Sequence, residues 1–244
     1  MLLLTLLAAV SLTVGLSVGS VPVSPGEVWA ALFGAHSPNA VVVQELRLPR
    51  LLAAFAVGGL LALSGALLQV LLQNALADPY ILGTSSGAAV GALLALLLGL
   101  GGFWVSGSAL LGALISMLLV FGLAHGRGGW TPMRLLLTGV VVASAWIAVI
   151  SFLLALAPEH NLRGMLFWLM GDLGQGTSPL PPLLLLGAGL LLALPAARSL
   201  NLLARGETTA ASLGVNVGTL RLFIYFLASL LTAGSGDEIG RAHV

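Results

Sequence analysis

The sequence predicts an all-α, polytopic transmembrane helix bundle, and three observations carry that prediction. Of 244 residues, 59% are hydrophobic and 7% are charged, a composition that no soluble domain can hide from water. Charge-free apolar runs recur along the chain at about 20 residues each, the length that crosses a bilayer core of about 30 Å. Between the runs lie short stretches rich in Gly, Pro and Arg, which break helices or sit at membrane interfaces.

Six runs read as complete spans: Leu2 to Val21, Leu51 to Leu72, Tyr80 to Leu98, Phe103 to Ala124, Leu135 to Leu156 and Pro181 to Ala197. The first has neither a basic leader nor a clear small-x-small cleavage site, so it reads as a retained span and not as a secretory signal. The third and fourth are parted only by Gly99, Leu100, Gly101 and Gly102, a turn signal. The sixth opens on Pro179, Pro181 and Pro182, where a helix can begin but not run backwards. A seventh run, Leu220 to Ala233, gives way to the polar GSGDEIGRAHV. Residues 1–233 are therefore expected to form the membrane domain, with 234–244 a polar tail outside the fold and the natural chain continuing past the break.

Arginines near the span ends set the orientation. With the N-terminus in the cytoplasm, Arg127, Arg134, Arg198, Arg205 and Arg221 lie inside and Arg47, Arg50 and Arg163 outside, which favours that arrangement. The loops from Val21 to Pro49 and from Pro158 to Ser178 then face outward.

Composition also excludes chemistry. A net charge of +1 gives no field for nucleic acid. The chain has no Cys, hence no thiolate metal site or disulfide framework. Every basic residue is Arg, so there is no P-loop lysine and no ATP hydrolysis by that route. The histidines at 36, 125, 160 and 243 lack metal-ligand spacing. Spans almost empty of ionisable groups argue against an ion-coupled carrier.

Polar residues inside the apolar sequence have structural readings. Asp78 followed by Pro79 fits a helix N-cap and first position. Gly83, Gly87 and Gly91, four apart, put a small-residue stripe on one helix face for close packing, and Gly58, Ala62, Gly65 and Gln69 make a comparable stripe before it. From Arg198 to Arg221, Gly206 interrupts the chain, Glu207 starts a helix-compatible run, and Gly214 is a natural stop. Two short helices at a sharp angle are expected there, serving either as a knob for a soluble partner or as an interfacial loop lying on lipid headgroups.

The run RLPRLLAAFAVGGLLALSGALLQVLLQNALADPYILGTSSGAAVGA from Arg47, followed in order by TPMRLLLTG, LRGMLFWLMGDLG and LNLLARGETTAASLGV, resembles the FecCD family. Its members are permease subunits of ATP-binding-cassette (ABC) importers for iron-siderophore complexes, haem and cobalamin. The resemblance implies a type II importer permease of ten helices in a bacterial or archaeal cytoplasmic membrane, of which this chain holds six spans and part of a seventh. It implies no cofactor on this chain, with ATP and Mg on a separate ATPase subunit. It implies three partners besides lipid: that ATPase, a periplasmic or lipoprotein substrate-binding protein, and a second permease copy, identical or paralogous.

By the same resemblance, Arg47 and Arg50 dock the binding protein, Thr131, Pro132 and Met133 lie at the cytoplasmic gate, and Arg205, Gly206, Glu207 and Gly214 couple to the ATPase. The chain departs from the family in reading Asn74, Ala75, Leu76 where Asn-Pro-Leu is usual, so a rigid turn is expected to be lost. It has Pro and Met where the gate often carries small hydroxyl residues, and it lacks the glycine-rich segment and Pro-His pair that follow the seventh helix. The other classes open to such a chain are a secondary, ion-coupled transporter and a membrane scaffold that transports nothing.

Overall fold

The computed structural model describes residues 2–33, 39–125, 131–171 and 178–240. His36, Arg127, the DLG that ends LRGMLFWLMGDLG, and the last four residues with Arg241 and His243 lie outside the described residues. The described chain forms helices α1 (Leu2–Ser17), α2 (Pro25–Leu32), α3 (Leu48–Leu72), α4 (Thr84–Leu97), α5 (Gly102–Ala124), α6 (Pro132–Leu156), α7 (Glu159–Met170), α8 (Leu180–Ala204), α9 (Glu207–Ser212) and α10 (Val217–Gly240). A π-helical turn, Val42–Arg47, leads into α3, and a 3-10 turn, Pro79–Leu82, precedes α4.

Among the described residues, five segments are long and apolar enough to cross a membrane: Val42–Leu72, α5, α6, α8 and Val217–Ser235. Leu2–Ser17 and Thr84–Leu97 are apolar but shorter. The expected first span thus ends at Ser17 and not at Val21, because the chain turns through 18–24 into α2. That short helix is fixed by a capping box in which Ser24 Oγ accepts from the Glu27 N–H while Glu27 accepts from the Ser24 N–H. The Ser24 backbone N–H, and then its hydroxyl, hold the Glu27 carboxyl below its usual pKa. A depressed folded-state pKa means the box is intact above the ordinary carboxylate range and loosens only as pH falls through the lowered value.

Hydrogen bonds between elements sort the helix ends onto two sides. Arg47 at the start of α3 reaches the end of α1, and Asn161 of α7 donates to Leu97 O at the end of α4. On the other side, Gln73 after α3 donates to Leu203 O at the end of α8. The chain therefore crosses back and forth, gathering residues 18–33, 39–41, 98–101 and 157–171 at one end and 73–78, the end of α5, the start of α6 and 205–216 at the other.

At the centre, α10 packs against α3, with 50% and 44% of their apolar windows buried, whereas α6 is only 17% buried. Ser64 Oγ of α3 donates to Ala228 O of α10 and lies 2.7 Å from Thr232 Oγ1, all inside the bundle. The Tyr225 hydroxyl donates to Met117 O and ties α10 to α5 as well. Leucines such as Leu111, Leu137 and Leu191 point outward, as a lipid-facing surface requires.

Three expectations are corrected here. The third run is not one helix: the 3-10 turn ends at Gly83, whose φ of +70° breaks the winding before α4 begins. The helix expected to stop at Ala233 continues to Gly240, and Ser235 is fully buried with its hydroxyl on Thr232 O. Between Arg198 and Arg221 there is one short helix and not two, because residues 198–204 complete α8 and 217–221 already begin α10.

Candidate functional site

Three places hold the residues singled out by sequence. At the first, Arg47 closes the π turn immediately before α3. Pro49 has no N–H to give the Glu45 carbonyl, so the α register cannot run unbroken there and the chain takes the wider winding. The Arg47 guanidinium folds back and donates to Leu16 O at 2.6 Å, to Ser17 O at 3.1 Å and to Val21 O. Leu16 and Ser17 lie in the last turn of α1, whose carbonyls have no intrahelical partners, although Ser17 O also accepts from the Val23 N–H; Val21 lies in the turn beyond the helix. The fit depends on Gly19, where an added Cβ would lie 2.6 Å from Arg47 Nη2. Arg47 is thus half-buried in a clasp, whereas Arg50, one turn further along α3, is exposed.

The second place is the seam between α4 and α5. Asp78 Oδ1 accepts from the Tyr80 N–H at 2.7 Å and caps the 3-10 turn, with Pro79 at its first position. Before it, the Asn74 side chain accepts from the Leu76 N–H and Gln69 donates to Ala75 O, so side chains fix the turn expected to be lost with the proline. Gly87 and Gly91 face α5, whereas Gly83, at the break and not within the helix, lies between Ser116 of α5 and Ala143 of α6. An added Cβ at Gly87 would lie 2.5 Å from Ser116 Cβ and 2.6 Å from Gly112 O, and one at Gly91 would run into Ser108 O. The small residues of α5, Ser108, Gly112 and Ser116, are themselves four apart and mirror the stripe.

Sequence reasoning missed the polar link across this seam. Trp146 Nε1 of α6 donates to Ser116 Oγ at 3.0 Å, and Ser116 Oγ donates to Gly83 O at 2.7 Å. The mirrored spacing in α5 could have revealed the α4–α5 contact; nothing local points to Trp146. The earlier stripe divides: Gly65 is buried beside Pro79, whereas Gly58, Ala62 and Gln69 are exposed.

The third place is the end that gathers 205–216. Gly206 (φ +119°) and Gly214 (φ +83°) flank α9 in conformations that disfavour any side chain. The helix closes with Val215 N–H on Ala210 O and Gly214 N–H on Ala211 O. Ala210 is fully buried, Arg205 and Leu213 are exposed, and Glu207 forms an ion pair with Arg221 of α10 at 2.6 Å. A groove of about 740 Å³ opens beside α9, between the end of α8 and the start of α10, with Arg198 and Asn216 in its wall. Thr131 caps α6 by accepting from the Arg134 N–H at 3.4 Å, Pro132 occupies the first helical position, and Met133 is 65% exposed.

These features define a polytopic helical membrane protein with one short exposed helix held between glycine joints. A model of the FecCD transport family matches residues 5–239, and the chain belongs to that family. It is 38% identical over 232 residues to the cobalamin import system permease protein BtuC of Halobacterium salinarum, covering 89% of this chain and 62% of that protein. It is 36% identical over 245 residues to the achromobactin transport system permease protein CbrC of Dickeya dadantii, covering 97% and 69%. A solved metal-chelate type ABC transporter in an inward-facing conformation superposes with a TM-score of 0.79 at 30% identity, over 97% of this chain and 73% of that one. The chain thus spans about two thirds of the length of these relatives.

Proposed function

We propose that this chain is the membrane-spanning permease subunit of an ABC importer, moving a metal chelate or corrinoid of the iron-siderophore, haem or cobalamin kind across the cytoplasmic membrane. The observation that carries this is family membership over residues 5–239, joined to an exposed short helix on the side opposite the Arg47 and Arg50 end. The chain performs no covalent chemistry. Its part is to change shape when a separate ATPase binds and hydrolyses ATP.

In this reading α9 seats in the ATPase, with Gly206, Glu207 and Gly214 shaping it and Arg205 exposed beside it. The opposite end receives the binding protein, Arg50 offering it a surface charge while Arg47 holds the shape of the loop. The Thr131, Pro132 and Met133 turn lies at the cytoplasmic mouth of α6. Little of α6 is buried within the chain, which leaves it available to a second permease copy and to the pathway between the two. Arginine placement supports a cytoplasmic N-terminus.

The test is to purify the chain from its native operon context with an affinity tag and to assay uptake in proteoliposomes. An ATPase subunit is expected to co-purify, and uptake is expected to stop when internal ATP is removed. Uptake that persists without ATP and follows an imposed ion gradient would replace this reading with a secondary transporter.

A further inference from the structure

We infer that Arg221 is a positioning residue for energy coupling: through its ion pair with Glu207 it locks α9 to α10, so that a push on α9 moves the centre of the bundle. The inference rests on the proposal that α9 meets an ATPase. Nothing in the sequence motifs marks Arg221, which there counts only as an arginine at a span end.

Mechanically, α9 is a six-residue helix with a joint on each side. Gly206 at φ +119° and Gly214 at φ +83° are backbone positions with the widest conformational freedom a chain offers. An element hung between two such joints turns under load and transmits little, unless something braces it across the joints. Two braces are present. The Ala210 side chain is fully buried under the helix, and Glu207 in its first turn reaches Arg221 at 2.6 Å. The Arg221 side chain is 15% exposed and that of Glu207 is 49%, so the guanidinium is the anchored partner and the carboxylate the one brought to it.

What lies behind Arg221 makes the brace consequential. It stands in the second turn of α10, the helix with the most buried of the apolar spans. One turn further on, Tyr225 holds α5 through Met117 O, and beyond that Ala228 and Thr232 hold α3 through Ser64. A displacement entering at Glu207 therefore passes to α10 and to both of its central neighbours. Exposed ion pairs add little to stability, so this pair is understood better as a constraint on angle than as a source of folding energy.

The experiment uses the assembled importer, permease with its ATPase and binding protein, in proteoliposomes. It reads the stimulation of ATP hydrolysis by substrate-free binding protein. Arg221→Gln, altered in α10 and outside the ATPase contact, is expected to lower that stimulation at least threefold while the ATPase still co-purifies, and Glu207→Gln is expected to lower it as much. The exchange variant, Glu207→Arg with Arg221→Glu, is expected to recover at least half of it. If Arg221→Gln fails to assemble, Glu207→Gln, altered at a half-exposed side chain, carries the same comparison. Undiminished stimulation in the single variants, or a loss that the exchange does not recover, overturns the inference and leaves the importer reading standing. Failure of any ATPase to co-purify with the unaltered chain overturns that reading, and the inference with it.

Discussion

Gly91 and Gly112 are where α4 and α5 touch backbone to backbone. A Cβ at Gly91 would meet Ser108 O, and one at Gly112 would meet Gly87 O. Neither obstacle can swing aside as the end of a flexible side chain can. Gly91→Ala is therefore expected to destabilise the folded protein by about 1–3 kcal/mol, the usual cost of overpacking. Gly58→Ala, with nothing within 4 Å, is expected to be neutral within error. Thermal unfolding of both variants in detergent, followed by size-exclusion fluorescence, checks the contrast, and equal melting points would refute it. Spacing alone made Gly87 and Gly91 legible, because four-residue intervals have one geometric meaning in a helix. The same spacing misplaced Gly83: a stripe cannot tell a helical glycine from one at φ +70°. Arg47 was legible as a motif residue, but its contacts with Leu16, Ser17 and Val21 join segments about 30 residues apart and leave no local trace.

Among the elements, α10 and α3 share a side-chain to side-chain polar contact in the buried centre. Ser64 Oγ reaches both Ala228 O and Thr232 Oγ1 in surroundings from which water is excluded. Interhelical hydrogen bonds of this kind contribute about 0.6 kcal/mol on average in membrane proteins, since the unfolded helices in lipid also find partners. A double-mutant cycle of Ser64→Ala and Thr232→Val is expected to give a coupling of about that size, measured by reversible unfolding in mixed micelles; additivity of the two changes would remove the pair from the account. Element ends were read less well than element centres. Gly102–Ala124 was legible to within a residue because glycines and an unbroken apolar run bound it. The region after Arg198 was misjudged because no Gly or Pro interrupts residues 198–204, which simply prolong α8.

For the whole molecule, the absence of cysteine from all 244 residues permits a clean topology measurement. A single cysteine at Thr208 in α9 is expected to react with a membrane-impermeant maleimide only in inside-out vesicles. One at Gly101, between α4 and α5, is expected to react only in right-side-out cells. The reverse pattern would invert the proposed orientation. Fold class was legible at this scale because composition and run length constrain a membrane chain severely. What could not be read was which faces meet, since lipid-facing and helix-facing leucines are chemically alike.

The Arg47 clasp has a consequence for biosynthesis. The carbonyls at the end of α1 are met by a guanidinium encoded 30 or so residues later. The last turn of the first helix therefore gains these partners only once the π turn has been synthesised. The arginine is a latch that joins the opening helix to α3 after both exist.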